Sequence, residues 1–187
     1  MNNDLKRRID AMRARLDGRA PVAEIHASSQ LFVTPDPVCR RLVALAGVTD
    51  ADDVLEPEAG TGAILRAIRE AAPLARCDAV ELNGELYQAL RRAFPDVRVI
   101  NADFLQYQSD IRYSKIIMNP PFQHAADIQH IRRALALLDT GGVLAAICLN
   151  GPRQEKALRP LAASWEVLAR GTFAYTDVST VMLTVRR

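Results

Sequence analysis

Residues 53–62 read DVLEPEAGTG and residues 116–122 read IIMNPPF. Each stretch begins with an apolar run typical of a buried strand and ends in a polar turn rich in glycine or proline. Further strands are predicted at 77–82, 97–100, 143–149, 165–169 and 180–186, and helices at 38–46, 62–71, 84–94, 125–138 and after Pro152. This alternation predicts a doubly wound α/β fold, in which ligands bind beyond the carboxyl ends of the strands. Gly141-Gly142 is expected to close the helix at 125–138.

Composition excludes several classes of protein. The chain has 187 residues, of which 49% are hydrophobic and 25% charged, as in an ordinary single globular domain and unlike collagen or disordered chains. It lacks a run of about 18 apolar residues and begins with a charged segment, so neither a membrane span nor a secretory signal is predicted. The three cysteines lack CxxC spacing, which argues against a disulfide framework or a zinc site and favours a reducing, cytoplasmic setting.

The N-terminal segment differs from the rest in charge. The net charge of the chain is only +2, but residues 1–20 carry six basic and three acidic side chains. Leu5, Ile9, Met12 and Leu16 recur at helical spacing, so we expect a basic amphipathic helix and linker over 1–27, followed by one domain over 28–187. Such a helix can contact phosphates, although a solvated face or a packing role stays open.

Two turns suggest a nucleoside site. In the turn 56–62, glycines let the backbone approach a ligand at the start of a helix. Leu65 stands where a dinucleotide fingerprint has its third glycine, so the turn better fits a nucleoside that carries a carboxylate, with a plain strand-to-helix turn as the alternative. Glu81 ends the next strand, where a carboxylate can accept both hydroxyls of a ribose and Leu82 can cover an adenine; by itself, Glu81 would be a surface acid.

The turn 101–104, NADF, follows the third strand. Asp103 can accept an amino hydrogen of an adenine, and Phe104 can pack on the ring. The alternative is a helix N-cap at Asp103 with Phe104 in the core.

The loop Asn119-Pro120-Pro121-Phe122 carries the sharpest chemical signal. Two prolines cannot continue a strand or donate hydrogen bonds, so they stiffen the loop and leave carbonyl groups free to accept. With the Asn119 side chain they offer two convergent acceptors for a planar NH2 group, whose nitrogen is a poor nucleophile that needs careful positioning. Phe122 offers a stacking surface for a flipped base. A rigid proline turn with a core aromatic is the alternative.

Together these motifs resemble class I S-adenosylmethionine-dependent methyltransferases, in particular amino-methyltransferases with an (N/D)PP(Y/F) loop. QLFVTP (30–35) resembles the family's first cofactor motif, and LEPEAGTGA (55–63) its glycine motif, with Glu58 in place of the common serine. AVELN (79–83), NADF and NPPF follow in the expected order. The resemblance extends to small methyltransferases of phages and mobile elements, and it covers about residues 29–187.

The resemblance implies a Rossmann-like sheet of seven strands, mostly parallel with an antiparallel last strand, and helices on both faces. It implies S-adenosylmethionine as cofactor, with S-adenosylhomocysteine as product. The implied cofactor-binding residues are Phe32, Thr34, Pro35, Glu56, Ala59, Gly60, Gly62, Glu81, Leu82, Asp103, Phe104 and Asn119. Asn119, Pro120 and Phe122 would be catalytic, and Pro121, Phe122, His124 and Tyr175 would contact the substrate.

The expected function is methyl transfer to an exocyclic amino group, first of all adenine N6 in DNA or RNA, without a metal. Cytosine N4 stays open, as do a protein glutamine N5 methyltransferase and a non-catalytic cofactor-binding subunit. Only 65 residues follow Phe122, so no separate recognition domain is expected. The target would then be recognised by its shape, by a protein partner or by the basic helix. His124 and His130 do not share a helical face, which disfavours a two-histidine metal site.

Overall fold

The computed structural model describes residues 33–173 and 178–187. The helix predicted within 1–27, Phe32 and Tyr175 lie outside this range. The helices are α1 (Asp36–Ala46), α2 (Ala63–Ala71), α3 (Gly84–Ala93), α4 (Ala126–Leu137) and α5 (Pro152–Leu158), and short 3-10 turns occupy Gln123–Ala125 and Arg159–Leu161. The strands are β1 (Asp53–Pro57), β2 (Arg76–Glu81), β3 (Arg98–Asn101), β4 (Tyr113–Met118), β5 (Leu138–Leu149), β6 (Ser164–Val167) and β7 (Thr180–Arg186).

The strands form one sheet in the order β3-β2-β1-β4-β5-β7-β6. Strands β1 to β5 pair in parallel, while β7 runs antiparallel to both of its neighbours. This arrangement confirms the predicted Rossmann-like sheet with an antiparallel last strand. The chain order reverses between β1 and β4, so the polar turns after these two strands lie side by side at the switch point of the sheet.

Each face of the sheet has its own apolar core, because successive side chains of a strand point to opposite faces. Val54 and Ile117 belong to the core that packs against α1, α2 and α3. Leu55 and Ile116 belong to the second core, which packs against α4 and α5. Helices therefore cover both faces, as predicted. Within the described ranges, no helix is long and apolar enough to cross a membrane.

The prediction that Gly141-Gly142 closes a helix is wrong. Helix α4 ends at Leu137, and the fully buried Leu138 already begins β5 by pairing with Tyr113. Gly141 adopts a left-handed φ of 79°, and a Cβ on Gly142 would lie 3.0 Å from the Asp139 carbonyl oxygen. The glycine pair thus makes a tight irregularity inside a strand of 12 residues, and this irregularity accompanies a register shift opposite β4.

Candidate active site

The carboxyl ends of neighbouring strands bring the predicted polar residues to one edge of the sheet. Glu56 lies near the end of β1, and Glu81 ends β2 opposite Asn101 of β3. Asn119 follows the last residue of β4. Topology therefore assembles the four polar turns that are separate in sequence, as expected for the carboxyl edge of a parallel sheet.

The glycine turn is tied to the end of β2 by two backbone donors. The Gly60 N–H donates to Oε2 of Glu81 over 2.8 Å, and the buried Ala59 donates its N–H to the Val80 carbonyl over 3.0 Å. Gly60 has a φ of 55°, and Glu58 has a φ of 53°, which is uncommon for a residue with a side chain. The turn is held in a left-handed conformation by β2 rather than by its own sequence alone.

Gly62 has a packing role that the motif did not reveal. Its φ is 76°, and a Cβ at this position would lie 2.5 Å from the Phe94 ring and 2.9 Å from Leu90. The absence of a side chain therefore lets the start of α2 approach α3. From the sequence, this glycine was expected to let the backbone approach a ligand. In the structure, the space that a Cβ of Gly62 would need is filled by core side chains.

Glu81 is buried, with 7% of its surface exposed, so the alternative of a surface acid is wrong. Its Oε1 accepts from the Asn83 N–H over 2.7 Å, and its Oε2 accepts from Gly60. Each carboxylate oxygen retains a lone pair for a further donor. Leu82, immediately after it, is 69% exposed and presents an apolar surface beside the carboxylate.

Asp103 and Phe104 point in different directions. Asp103 is exposed, and its Oδ1 accepts from the Leu105 N–H over 2.9 Å in a turn, so it does not cap a helix. Phe104 is 2% exposed within the core on the α4 side, and its ring centroid lies 6.0 Å from that of His130. Asp103 is thus available to a ligand, whereas the Phe104 ring mainly packs inside the protein.

Glu56 is the most deeply buried acid of the edge, with 2% of its surface exposed. Burial raises the pKa of this carboxyl well above its usual range, and the nearby carboxylates of Glu81 and Glu58 raise it further. Its Oε2 has no hydrogen-bond partner in the described part of the chain. A buried carboxylate in this condition favours a cationic or hydrogen-bond-donating ligand.

Glu58 forms a pair that the sequence analysis missed. Its Oε1 contacts Nδ1 of His130, which is 8% exposed on α4. Burial raises the pKa of Glu58, while the hydrogen bond to His130 acts in the opposite direction. One feature of the sequence could have indicated such a pair. His130 shares a helix face with the apolar Ala134 and Leu137, and a histidine buried on such a face requires a hydrogen-bond partner.

The NPPF loop is anchored by a residue from the start of the described chain. Nδ2 of Asn119 donates to Oγ1 of Thr34 over 2.9 Å, and Thr34 is only 5% exposed. Oδ1 of Asn119 is buried and has no hydrogen-bond partner among residues 33–173 and 178–187. Because Thr34 uses the amide nitrogen, the amide is oriented with its oxygen left to accept.

Burial alternates along the rest of the loop. Pro120 is buried, Pro121 is exposed, and Phe122 is partly buried against the core on the α1 side. His124 is exposed and has a left-handed φ of 53°. Pro35 directly precedes α1, next to Thr34. Phe32 and Tyr175, both predicted to border the site, are outside the described residues.

The buried acceptors of the site fit a cationic nucleoside cofactor. Oε2 of Glu56, Oε2 of Glu58 and Oδ1 of Asn119 are all buried acceptors that lack partners within the described segments. S-adenosylmethionine carries a sulfonium and an ammonium group, together with ribose hydroxyls and an adenine amino group, all of which suit acceptors. No cluster of three or more potential metal ligands occurs among the residues described.

Comparisons with known proteins identify the family to which the chain belongs. The family model described as "Methyltransferase small domain" matches residues 35–174. Ribosomal RNA small subunit methyltransferase A of Chlorobium phaeobacteroides (strain BS1) is 42% identical over 77 residues, which are 41% of this chain and 29% of that protein. The tRNA1(Val) (adenine(37)-N6)-methyltransferase of Dyadobacter fermentans is 37% identical over 87 residues, which are 43% of this chain and 36% of that protein. The chain thus spans about a third of the length of these curated relatives.

Solved structures share the fold. TrmN from Thermus thermophilus superposes with a TM-score of 0.67 at 22% identity, covering 81% of this chain and 49% of TrmN. The 23S rRNA methyltransferase ErmE gives a TM-score of 0.64 at 18% identity, covering 84% of this chain and 70% of ErmE. The sheet order, the acceptors at its carboxyl edge and the family match lead to one conclusion. The chain belongs to the methyltransferase small domain family, a class I family whose methyl donor is S-adenosylmethionine.

Proposed function

We propose that the protein transfers a methyl group from S-adenosylmethionine to the exocyclic amino group of adenine, at N6, in RNA or DNA. The observation that carries this proposal is the oriented amide of Asn119. Thr34 engages its nitrogen, so the buried Oδ1 is left to accept a hydrogen from an NH2 group. The stiff Pro120 carbonyl supplies a second acceptor beside it.

The chain contributes positioning rather than acid–base chemistry at the reacting nitrogen. Two acceptors that hold both amino hydrogens draw the nitrogen lone pair out of conjugation and toward the methyl donor. When bound, the cofactor supplies an electrophilic methyl group. After transfer the amine is cationic and acidic, so its proton leaves without a dedicated base. Phe122 provides an aromatic surface for the target base.

The proposed cofactor contacts follow the burial of the acceptors. Glu81 has a free lone pair on each oxygen for the ribose hydroxyls, and Leu82 provides an apolar surface for the adenine. Exposed Asp103 accepts from the adenine amino group. Buried Glu56 accepts from the cationic methionine end, which offsets the cost of its burial. Thr34 orients Asn119, and Pro35 borders the same pocket.

The relatives support a nucleic-acid substrate, and they favour RNA over DNA. Two of them are named for ribosomal RNA and for adenine N6 of a tRNA, while a third is the modification methylase CviBIII. The partner-free amide oxygen of Asn119 also fits cytosine N4 or a glutamine side chain, which makes product identity the decisive measurement. We further propose that residues 1–27 or a protein partner select the target.

The test is a transfer assay with labelled S-adenosylmethionine. RNA, single-stranded DNA, duplex DNA and cell protein are offered in parallel, and the labelled polymer is digested to identify the product. We expect N6-methyladenine. Asn119→Ala should reduce kcat by about 100- to 1000-fold, the usual effect of removing one oriented polar group that acts in the transition state. Its calorimetric affinity for the cofactor should stay within a few fold.

Other outcomes would replace the proposal. Label in protein would indicate a glutamine methyltransferase, and label in N4-methylcytosine would change the base. Tight cofactor binding without transfer to any polymer would indicate a non-catalytic subunit. Undiminished turnover of Asn119→Ala would remove the amide from the mechanism altogether.

A reducing, cytoplasmic setting is part of the proposal. Cys39, Cys77 and Cys148 are all unpaired and buried. Burial raises the pKa of Cys77 to about 11 and that of Cys148 to about 12, so these thiols stay protonated and unreactive. Proteins of oxidising compartments more often pair their cysteines.

A further inference from the structure

A cleft of about 540 Å³ opens between the NPPF loop and the start of α5. Phe122 and His124 line one side of it, and Leu149, Arg153 and Gln154 line the other. Because β4 and β5 are parallel neighbours, the cleft lies at the same carboxyl edge of the sheet as the loop that begins with Asn119. The methyl transfer described above does not use any residue of its α5 side.

Buried hydrogen bonds hold the α5 side of the cleft in place. Asp127 is fully buried, and its Oδ2 accepts from the Leu149 N–H over 2.9 Å. Nε2 of Gln154, which is 4% exposed, donates to both carboxylate oxygens over 3.0 and 3.1 Å. A Cβ on Gly151 would lie 2.9 Å from Oε1 of Gln154. These contacts fix the start of α5 against α4 and the end of β5, which preorganises the side of the cleft.

Arg153 places a cationic group on the α5 side of the cleft. Arg153 is exposed, and within the described part of the chain it forms no ion pair or hydrogen bond. None of the described residues that line the cleft is acidic. Asp127 is fully buried, where it accepts from Gln154. Opposite Arg153, His124 is exposed with a φ of 53°, and Ala125 follows at 60°. Two successive left-handed residues with side chains are costly, and such strain concentrates at functional sites.

We propose that this cleft holds the sugar–phosphate backbone next to the target base, with the Arg153 guanidinium donating to the phosphate oxygens. The fork of an arginine matches a phosphate group, and the apolar Leu149 and Phe122 suit the sugar and the base. This proposal rests on the proposed function, because it adds a backbone contact to the same nucleic-acid site. Arg153 is therefore a substrate-binding residue that acts on affinity rather than on the methyl transfer itself.

The experiment compares wild type with Arg153→Ala and Arg153→Lys. A short adenine-containing single strand is used as RNA and as DNA, and binding is measured by fluorescence anisotropy between about 50 and 200 mM salt. Arg153→Ala should weaken binding about three- to tenfold at low salt and flatten the plot of log affinity against log salt by about 0.7, the value for one phosphate contact to a single strand. Arg153→Lys should keep the slope. In turnover, KM for the strand should rise while kcat and cofactor affinity stay within about twofold.

Arg92→Ala is the matched control. Arg92 is also exposed, but it lies on α3, across the sheet from α5, so its loss should leave slope and KM unchanged. An unchanged slope and KM for Arg153→Ala would overturn the inference. So would a fall in kcat with an unchanged slope, since this would place Arg153 in the chemistry. If wild type methylates neither strand, the proposed function itself fails, and that result is visible before any variant is compared.

Discussion

The hydrogen bond between Thr34 and Asn119 offers a sharp test of the mechanism. Thr34→Val replaces the hydroxyl with a methyl group of similar size, which removes the acceptor 2.9 Å from Nδ2 of Asn119. The amide then loses its preferred orientation. Misplacement of a positioning group by about 1 Å can cost about 100-fold in rate, so we expect kcat to fall by about 10- to 100-fold.

A smaller effect on stability should accompany the loss of rate. The Nδ2 donor is left without its partner in a partly buried site, which costs about 1–2 kcal/mol. For a domain of this size, that corresponds to a decrease in Tm of about 2–8 °C. Thermal unfolding followed by circular dichroism measures it, and the rate is measured well below the Tm of the variant.

Two further variants make the reasoning refutable. Thr34→Ser retains the hydroxyl and should keep most of the activity. In an Asn119→Ala background, Thr34→Val should have no further effect on kcat, because the group that it orients is gone. Wild-type kcat in Thr34→Val would refute the anchoring role. A raised KM for S-adenosylmethionine with unchanged kcat would instead assign Thr34 to the cofactor, as the sequence resemblance suggested.

Three other predictions concern the cofactor edge. Glu81→Gln should weaken calorimetric cofactor affinity by about 10- to 150-fold, since charge-assisted hydrogen bonds are worth about 1.5–3 kcal/mol; equal affinity would remove Glu81 from the site. Because burial raises the pKa of Glu56 in the folded chain, its contribution to stability is fully present below about pH 4.5 and is lost as the pH rises through the raised pKa. Cofactor-free wild type should therefore lose stability relative to Glu56→Gln over that rise in pH. If urea unfolding gives the same change of unfolding free energy with pH for both proteins, the prediction is wrong. Gly62→Ala should destabilise by about 1–3 kcal/mol more than Gly47→Ala: both have left-handed φ, but only Gly62 has Phe94 within reach of a Cβ.

Local patterns predicted the elements well because parallel strands buried on both faces are short apolar runs. The turn after β1 and the NPPF loop after β4 lie where the strand pattern and the switch-point rule put them. The prediction failed around Gly141-Gly142, where glycine was interpreted as a helix stop. The same residue type serves a tight bend inside a strand, and only the pairing of Leu138 with Tyr113 distinguishes the two.

Contacts between distant residues could not be predicted. Glu58 and His130 are 72 positions apart, and Thr34 and Asn119 are 85 apart. Each pair depends on how loops and helices come together after the sheet has formed, and no periodicity of the sequence encodes these contacts. The resemblance identified Thr34 and Asn119 as neighbours of a ligand, but it did not indicate that one orients the other.

The position of β7 has a consequence for how the chain is made. β7 lies between β5 and β6, and β6 pairs with β7 rather than with β5. Roughly 40 residues separate the ends of β5 and β7, and synthesis at about 5–20 residues per second takes about 2–8 s to cover them. During that interval β5 presents an unpaired edge whose residues 143–149 are all apolar, which is a template for aggregation. We expect the nascent chain to depend on shielding by chaperones until β7 emerges, and a ribosome stalled within β6 to display an aggregation-prone intermediate.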